Sequence, residues 1–494
     1  METIDVKEPP FDDELVGKFL EYPEDYSLDF KRVSGKMVQK ALETISAFAN
    51  TEGGILALGL DDPKQGPDRS RIYGLQENPQ AIDELRRKIR SHITPEVPGI
   101  ALVEIGCTLN NGTKGSVLFV KVPKSARLHS ILEDGTFIRL QKSNRQLTAA
   151  EITALSFAKG VITAESEFVQ VDFGLLDTTL WKEYFRHRRL SGSIEEAMLR
   201  IGLARRREGK AIPMKAAVLL FAEDPSGVLA SKCAIRIFRY SGTQITHEAT
   251  PNLVKKPKTI GGPLIRLIED AMDYIKSEIA SGITMSKSGF KTIHKYPERV
   301  IKEALTNAVI HRDYHIQQDI HVRIFDDRIE IESPGLFPGN ITPANIFKEG
   351  SVNRNPLIVN HLREFPDPPN LDAGEGVRMM FNVMHEVGLY APLYLTKPPL
   401  PQEVVMICLF NEERPSLWDQ VNTFIDKHSR ITNRDLCRIG EIDTLRASKL
   451  FRQWIKKGLL IVEDPEASKK YTAYTKPGIE RALPLLSLDQ DNKG

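Results

Sequence analysis

PERVIKEALTNAVIHRDY, Pro297 to Tyr314, has the spacing of an amphipathic helix. Pro297 suits a first turn, and Glu298 stands beside the positive end of the helix dipole. Val300, Ile301, Ala304, Leu305, Ala308 and Val309 recur at helical intervals and form one apolar stripe. Glu303 and Asn307 lie four residues apart at the edge of that stripe, one above the other. A carboxylate so placed orients a water, and an amide oxygen one turn on binds a magnesium ion that holds phosphates. Taken alone, a glutamate and an asparagine at this spacing also fit the polar edge of any surface helix.

The flanking sequence narrows the choice. Ile320 to Phe325 alternates like a strand, Asp326-Asp327 is a turn, and Arg328 to Glu332 alternates again, which predicts a hairpin. It ends in Ser333-Pro334-Gly335. Gly374-Glu375-Gly376 then opens a second amphipathic helix running to Glu386. Glycines at a helix start let backbone amides approach phosphates.

This order of helix, hairpin, glycine turn, long loop, glycine pair and helix resembles the Bergerat-fold ATPases, a group that includes gyrase B, MutL and the histidine kinases. Within that group it resembles the ATPase-like domain of RecG-related, Schlafen-like bacterial proteins. The resemblance implies ATP and Mg2+ as cofactors, Glu303 as the water-orienting base and Asn307 as the magnesium ligand. It implies Gly374 and Gly376 as phosphate-side glycines, and assigns Asn340 to Pro356 to a mobile lid. The family's adenine-contacting Asp sits in a D-x-G-x-G box. Here that box reads Ser333-Pro334-Gly335-Leu336-Phe337, so Ser333 and Gly335 stand where base contacts are expected.

At 494 residues, several domains are expected. With 41% hydrophobic and 27% charged residues the composition is globular, and no apolar run approaches the roughly 18 residues that span a bilayer. Cys107, Cys233, Cys408 and Cys437 are scattered, which argues against a zinc site or disulfide framework. A cytoplasmic protein without a membrane partner is the expectation. The net charge of +1 makes no general case for nucleic acid, so local patches must carry it.

Residues 1–19 read as an acidic lead-in. Residues 20–159 read as an α+β domain. It has a helix from about Gly35 to Asn50, a turn at Asn50 to Gly54, a buried strand Ile55 to Leu60, and a basic helix carrying Arg86, Arg87 and Arg90. The run SLDFK…ISAFANTEGGILALGLDD resembles the Schlafen AlbA-type domain, whose members bind nucleic acid. In the Schlafen nucleases three carboxylates cut RNA with a divalent metal. The matching positions are Glu24, Asp29 and Asp61, implied both as metal ligands (Mg2+ or Mn2+) and as the catalytic set. Asp29 is one methylene shorter than the family's Glu. Lys31 and the Arg86, Arg87 and Arg90 helix are placed to steer a phosphate backbone. The bland alternative is that Asp29 and Asp61 only cap turns.

Residues 160–295 read as a connector. Lys182 to Lys215 holds ten Lys or Arg against four acids, interleaved with Trp181, Tyr184 and Phe185; this suits phosphate contacts with base stacking, or else a solvated helix face. Ala216 to Phe221 reads as a buried strand. Residues 296–412 are the ATPase-like domain. Residues 413–494 resemble a winged helix-turn-helix, with a helix from Trp418, a helix start at Ile431 to Asn433, and Arg446, Lys449 and Arg452 along one face of the recognition helix. No G-x-x-x-x-G-K-[ST] motif is present, so a helicase motor is unsupported.

The fold class expected is therefore multidomain α+β: an AlbA-like domain, an α/β connector, a Bergerat-type α/β sandwich and a winged helix. Two functions remain open. One is a nucleotide-regulated, metal-dependent nuclease acting on DNA or RNA, in stress or antiphage defence. The other is a non-catalytic, ATP-sensing, DNA-binding transcriptional regulator. Assembly into a homo-oligomer is left open.

Overall fold

A computed structural model describes residues 9–65, 68–161, 163–246, 251–286, 289–294, 296–348, 352–369, 374–397, 400–463 and 472–477. The chain forms two compact units. One holds the residues up to Lys159 together with Thr423–Ile455 and those from Leu460 onward; the other holds Gly160–Asn422 and Lys456–Leu459.

The first unit is built on a four-stranded sheet in the order Leu28–Lys31, Gly54–Leu58, Lys114–Val122, Ala101–Thr108, with only the first pair parallel. Alternation along the strands feeds two cores. Leu56, Leu58, Leu118 and Val120 join the helix Met37–Asn50 on one face. Ile55, Ala57, Val117 and Phe119 join Leu15, Val16, Phe19 and Leu20 of the helix Asp13–Leu20 on the other. The acidic lead-in is thus partly core: its acids take the outer face of a helix whose apolar stripe is buried. Asp13 is pinned by Thr108, which donates its N–H and hydroxyl to the carboxylate at 2.7 Å each.

In the C-terminal segment the order is helix Ser416–His428, strand Ile431–Thr432, helix Asn433–Gly440, helix Thr444–Lys456 and strands Ile461–Val462 and Ala473–Thr475. The three strands pair with Ala473–Thr475 in the middle. Ile431 and Thr432 therefore form a strand, where the sequence reading placed a helix start. Thr432 ends that strand and caps the next helix in a reciprocal box with Asp435.

The second unit has a six-stranded sheet, ordered Lys258–Ile260, Ile235–Arg239, Ile320–Ile324, Arg328–Pro334, Val404–Phe410, Leu393–Leu395. Ile235–Arg239 lies parallel to Ile320–Ile324, so the connector supplies two strands to the sheet of the ATPase-like segment. One apolar core runs from Ala164 to Leu409. The boundary expected at residue 296 is accordingly not a boundary in the core.

Two further expectations change here. Ala216 to Phe221 lies in a helix, Lys215–Phe221, with all six residues buried. A short, uninterrupted apolar run has no periodicity with which to tell strand from helix. Trp181 and Tyr184 are 2% and 0% exposed and pack on Phe221 at centroid distances of 5.0 and 5.2 Å. They are core residues, not stacking platforms for bases. No helix among the described residues is long and apolar enough to cross a membrane.

Candidate functional site

A cleft of about 380 Å³ opens in the second unit, large enough for a small ligand. Its walls are the helix Glu298–Ile310, the strand Arg328–Pro334 and the start of the helix Gly376–Glu386. The first helix buries Val300, Ile301, Ala304, Leu305 and Val309. That packing turns Glu303 and Asn307 toward the cleft. Asn307 donates its amide N–H to Glu303 Oε1 at 3.0 Å, which leaves its carbonyl oxygen for a cation. Burial pushes the Glu303 carboxyl above its ordinary range, against the pull of that hydrogen bond.

Gly376 explains how a carboxylate fits here. A Cβ on Gly376 would lie 1.7 Å from Glu303 Oε1, so any other residue would drive the carboxylate from its place. The helix that Gly376 starts has no side-chain cap. Its first amides and positive dipole end face the same space, which suits an anion. Arg299, one turn before Glu303, Lys302, directly before it, and Arg378 line the cleft as well. Sequence reasoning overlooked these cations, although Arg299 precedes Glu303 by the same four residues that separate Glu303 from Asn307.

Gly374, like Gly376, lines the cleft, as do Ser333 and Gly335. The Ser333 hydroxyl donates to Ala308 O at 2.7 Å. Gly335 has φ +108°, and a Cβ there would lie 2.8 Å from Asp313 Cβ. The rest of the wall is largely apolar, with Ile331, Phe337, Ile341, Tyr394 and Ile407. A cleft lined both by apolar side chains and by cations beside an uncapped helix start has the chemistry to accept a nucleotide. Asn307 has the side-chain oxygen that could take a divalent cation there.

The segment assigned to a lid, Asn340 to Pro356, has residues 349–351 outside the described ones and ends in two anchored side chains. Arg354 and Asn355 are 3% and 0% exposed. Asn355 Nδ2 donates to Ile310 O and Arg312 O, at 2.9 and 2.8 Å, and so caps the end of the Glu303 helix. Arg354 pairs with Asp313 at 3.3 Å and donates to Leu336 O at 2.5 Å. Burial alone would raise the Asp313 carboxyl, but His315 and Arg354 hold it below its ordinary range.

In the first unit, Asp29 is 3% exposed and fully engaged. Arg139 Nη2 stands 3.3 Å from Oδ1, Lys31 Nζ 2.5 Å from Oδ2, and the Thr44 hydroxyl donates at 2.9 Å. Arg139 also donates to Asp25 O and Leu28 O. Lys31 is therefore a counterion for Asp29. Glu24 accepts the Phe30 N–H at 3.0 Å. Burial, then repulsion from Asp29 and Asp62, pushes the Glu24 carboxyl up to about 7. Asp61 takes the Asp62 N–H at 2.9 Å and adds to the field that favours the charge on Arg32. Among the described residues, no three His, Cys, Asp or Glu side chains are grouped as a metal seat. With Asp29 consumed by two cations, Glu24, Asp29 and Asp61 as arranged do not fit a three-carboxylate metal cage.

The other proposed nucleic-acid contacts divide in two. Arg86 is paired with Glu104 at 2.9 Å, Arg87 donates to Asp83 O at 3.4 Å, and Arg90 lies 4.0 Å from Glu96. Arg446, Lys449 and Arg452 are all exposed on one face of the helix Thr444–Lys456, whose opposite face buries Ala447, Phe451 and Trp454.

Comparison with known proteins gives two family matches. Residues 24–148 match the family described as "Schlafen, AlbA_2", and residues 317–399 match that described as "Putative ATP-dependent DNA helicase recG C-terminal". The second match begins after the Glu303 and Asn307 helix. The crystal structure of the DIP2311 protein from Corynebacterium diphtheriae is 19% identical to this chain, aligning 91% of it with 92% of that chain at a TM-score of 0.40.

Proposed function

We propose that this chain, with its Schlafen AlbA_2 domain and its ATPase-like domain of the RecG C-terminal type, is a nucleic-acid-binding protein whose state depends on a bound nucleotide. The observation that carries the reading is the cleft in which Glu303 and Asn307 face the uncapped, glycine-started helix at Gly376. Arg299, Lys302 and Arg378 supply charge for phosphates, and the apolar wall receives the base. The magnesium ion, when bound, neutralises phosphate charge. Glu303, raised by burial and poised beside Asn307, is placed to orient a water and take its proton.

Calorimetry with magnesium-ADP and magnesium-ATP tests this reading. Asn307→Ala is expected to remove magnesium-dependent binding, and Glu303→Ala to spare binding while removing any hydrolysis. Absence of affinity for either nucleotide in the wild type would sink the proposal.

For nucleic acid, the C-terminal order of helix, strand, two helices and two strands fits a winged helix that reads duplex DNA with Thr444–Lys456. Neutralising Arg446, Lys449 and Arg452 together is expected to weaken DNA binding. The slope of log affinity against log salt should flatten by about 0.9 per lost phosphate contact. An unchanged slope would return these residues to a solvent face. Nuclease action finds less support, because Asp29 is already neutralised by Arg139 and Lys31.

A further inference from the structure

The arginine run at 205–207, read from sequence as part of the basic stretch Lys182 to Lys215, lies on an antiparallel ribbon. Ala204–Arg207 pairs with Lys210–Pro213 across a two-residue turn, with Glu208 at φ 51° and Gly209 at φ 80°. Positive φ at both turn residues matches the natural twist of a tight hairpin. The base of the ribbon is fixed in the core: Leu203, Ala204 and Met214 are 0%, 2% and 1% exposed, and Met214 N–H donates to Leu203 O at 2.8 Å. Beyond that base, Arg205, Arg206, Arg207 and Lys210 are all exposed.

Two features separate this ribbon from an ordinary solvated edge. Strand alternation sends Arg205 and Arg207 to one face and Arg206 to the other, so positive charge covers both faces. Arg207 and Lys210 also stand directly opposite each other in the register. Like charges so placed destabilise a ribbon. Among the described residues none of the four cations is within ion-pair distance of an acid, and the single carboxylate of the ribbon, Glu208 in the turn, stands against four positive charges. The Arg206 guanidinium only turns back to Gly209 O at 3.3 Å. An anion on each face would remove the repulsion.

We infer that the ribbon Ala204–Pro213 is a separate duplex-DNA contact, which enters a groove and meets phosphates on both walls through Arg205, Arg206, Arg207 and Lys210. A two-stranded ribbon fits the major groove of B-DNA, whose walls are rows of phosphate. A single strand offers one row only and is held chiefly by aromatic stacking. The ribbon carries no aromatic residue, and Trp181 and Tyr184 of the same basic stretch are buried. The inference rests on the nucleic-acid reading of the whole chain, but on residues other than Arg446, Lys449 and Arg452.

The test uses the full chain with fluorescein-labelled duplex DNA, single-stranded DNA and single-stranded RNA, in anisotropy titrations over a range of salt. Arg205→Ala, Arg206→Ala and Arg207→Ala are combined in one variant. Because these side chains are exposed and their charges repel, its thermal midpoint should be no lower than the wild type's and its nucleotide affinity unchanged. Duplex affinity is expected to fall at least tenfold at moderate salt, with the log–log slope reduced by about two to three units. If the wild type binds duplex and the Arg446, Lys449 and Arg452 variant loses affinity while this one does not, the ribbon proposal fails and the wider reading stands. Loss confined to the single-stranded probes would also overturn it. If the wild type binds none of the three probes, both fail together.

Discussion

Asp29→Ala should unfold the first unit more readily than any other single carboxylate change in this chain, by about 3–5 kcal/mol. Arg139 is 3% exposed, with its guanidinium held by Asp29 Oδ1, Asp25 O and Leu28 O. Removing the carboxylate leaves a buried guanidinium and the Lys31 ammonium without their counterion. The carbonyls that remain solvate the charge but do not neutralise it. In a unit of this size, each kcal/mol moves the midpoint by about 2–4 °C, so the first thermal transition should fall by on the order of 10 °C. Asp61→Ala is the contrast: its side chain holds one backbone N–H, of Asp62, and its loss should cost only about 1 kcal/mol. Scanning calorimetry of the two variants reads both values. Equal, small shifts would mean that Asp29 is not the counterion of a buried cation, and would reopen it as a free ligand.

The same pair shows where the sequence was legible and where it was not. The Glu298–Ile310 helix could be read from its stripe, because its neighbours on the face are three and four residues away. That spacing set Glu303 and Asn307 side by side at the edge of the stripe, and the resemblance of the flanking order to the Bergerat-fold ATPases gave them roles. Arg139 lies 110 residues from Asp29, and no local pattern marks it as a partner. Asn355 likewise reads as a lid residue until its amide is found on the carbonyls of Ile310 and Arg312. The strand Ile235–Arg239 has Ile320–Ile324 as its parallel neighbour, across the expected boundary. Pairing across long separations is set by the whole core, and composition shifts between segments do not report it. The arginine run 205–207 was legible as charge. Only the turn at Glu208 and Gly209 turned that charge into a two-faced ribbon.

Glu24 gives the second large effect, a loss of stability as pH rises from about 4.5 to about 7. The folded carboxyl sits near 7, raised by burial and by the charges of Asp29 and Asp62, whereas the unfolded chain titrates near the ordinary value of 4.5. Between those values the native state holds a proton that the unfolded state has released. Stability therefore falls with pH across this window and levels off above it. Glu165 in the second unit is raised to about 7 by burial and tilts the same way. The quantity to measure is thus the difference between wild type and Glu24→Gln. The variant keeps a hydrogen-bond acceptor for Phe30 N–H and carries no charge, so it should lose the Glu24 part of the slope and be the more stable protein at pH 8. Manganese then separates the two readings of the acid group. A divalent ion seated on Glu24 would favour its charged form, raising the wild-type midpoint at pH 7.5 by several degrees and leaving Glu24→Gln unmoved. With Asp29 held in ion pairs by Arg139 and Lys31, the expected result is no such difference. In that case the acids at this sheet end hold the AlbA-type unit together, and its contact with nucleic acid does not pass through a metal seated on them.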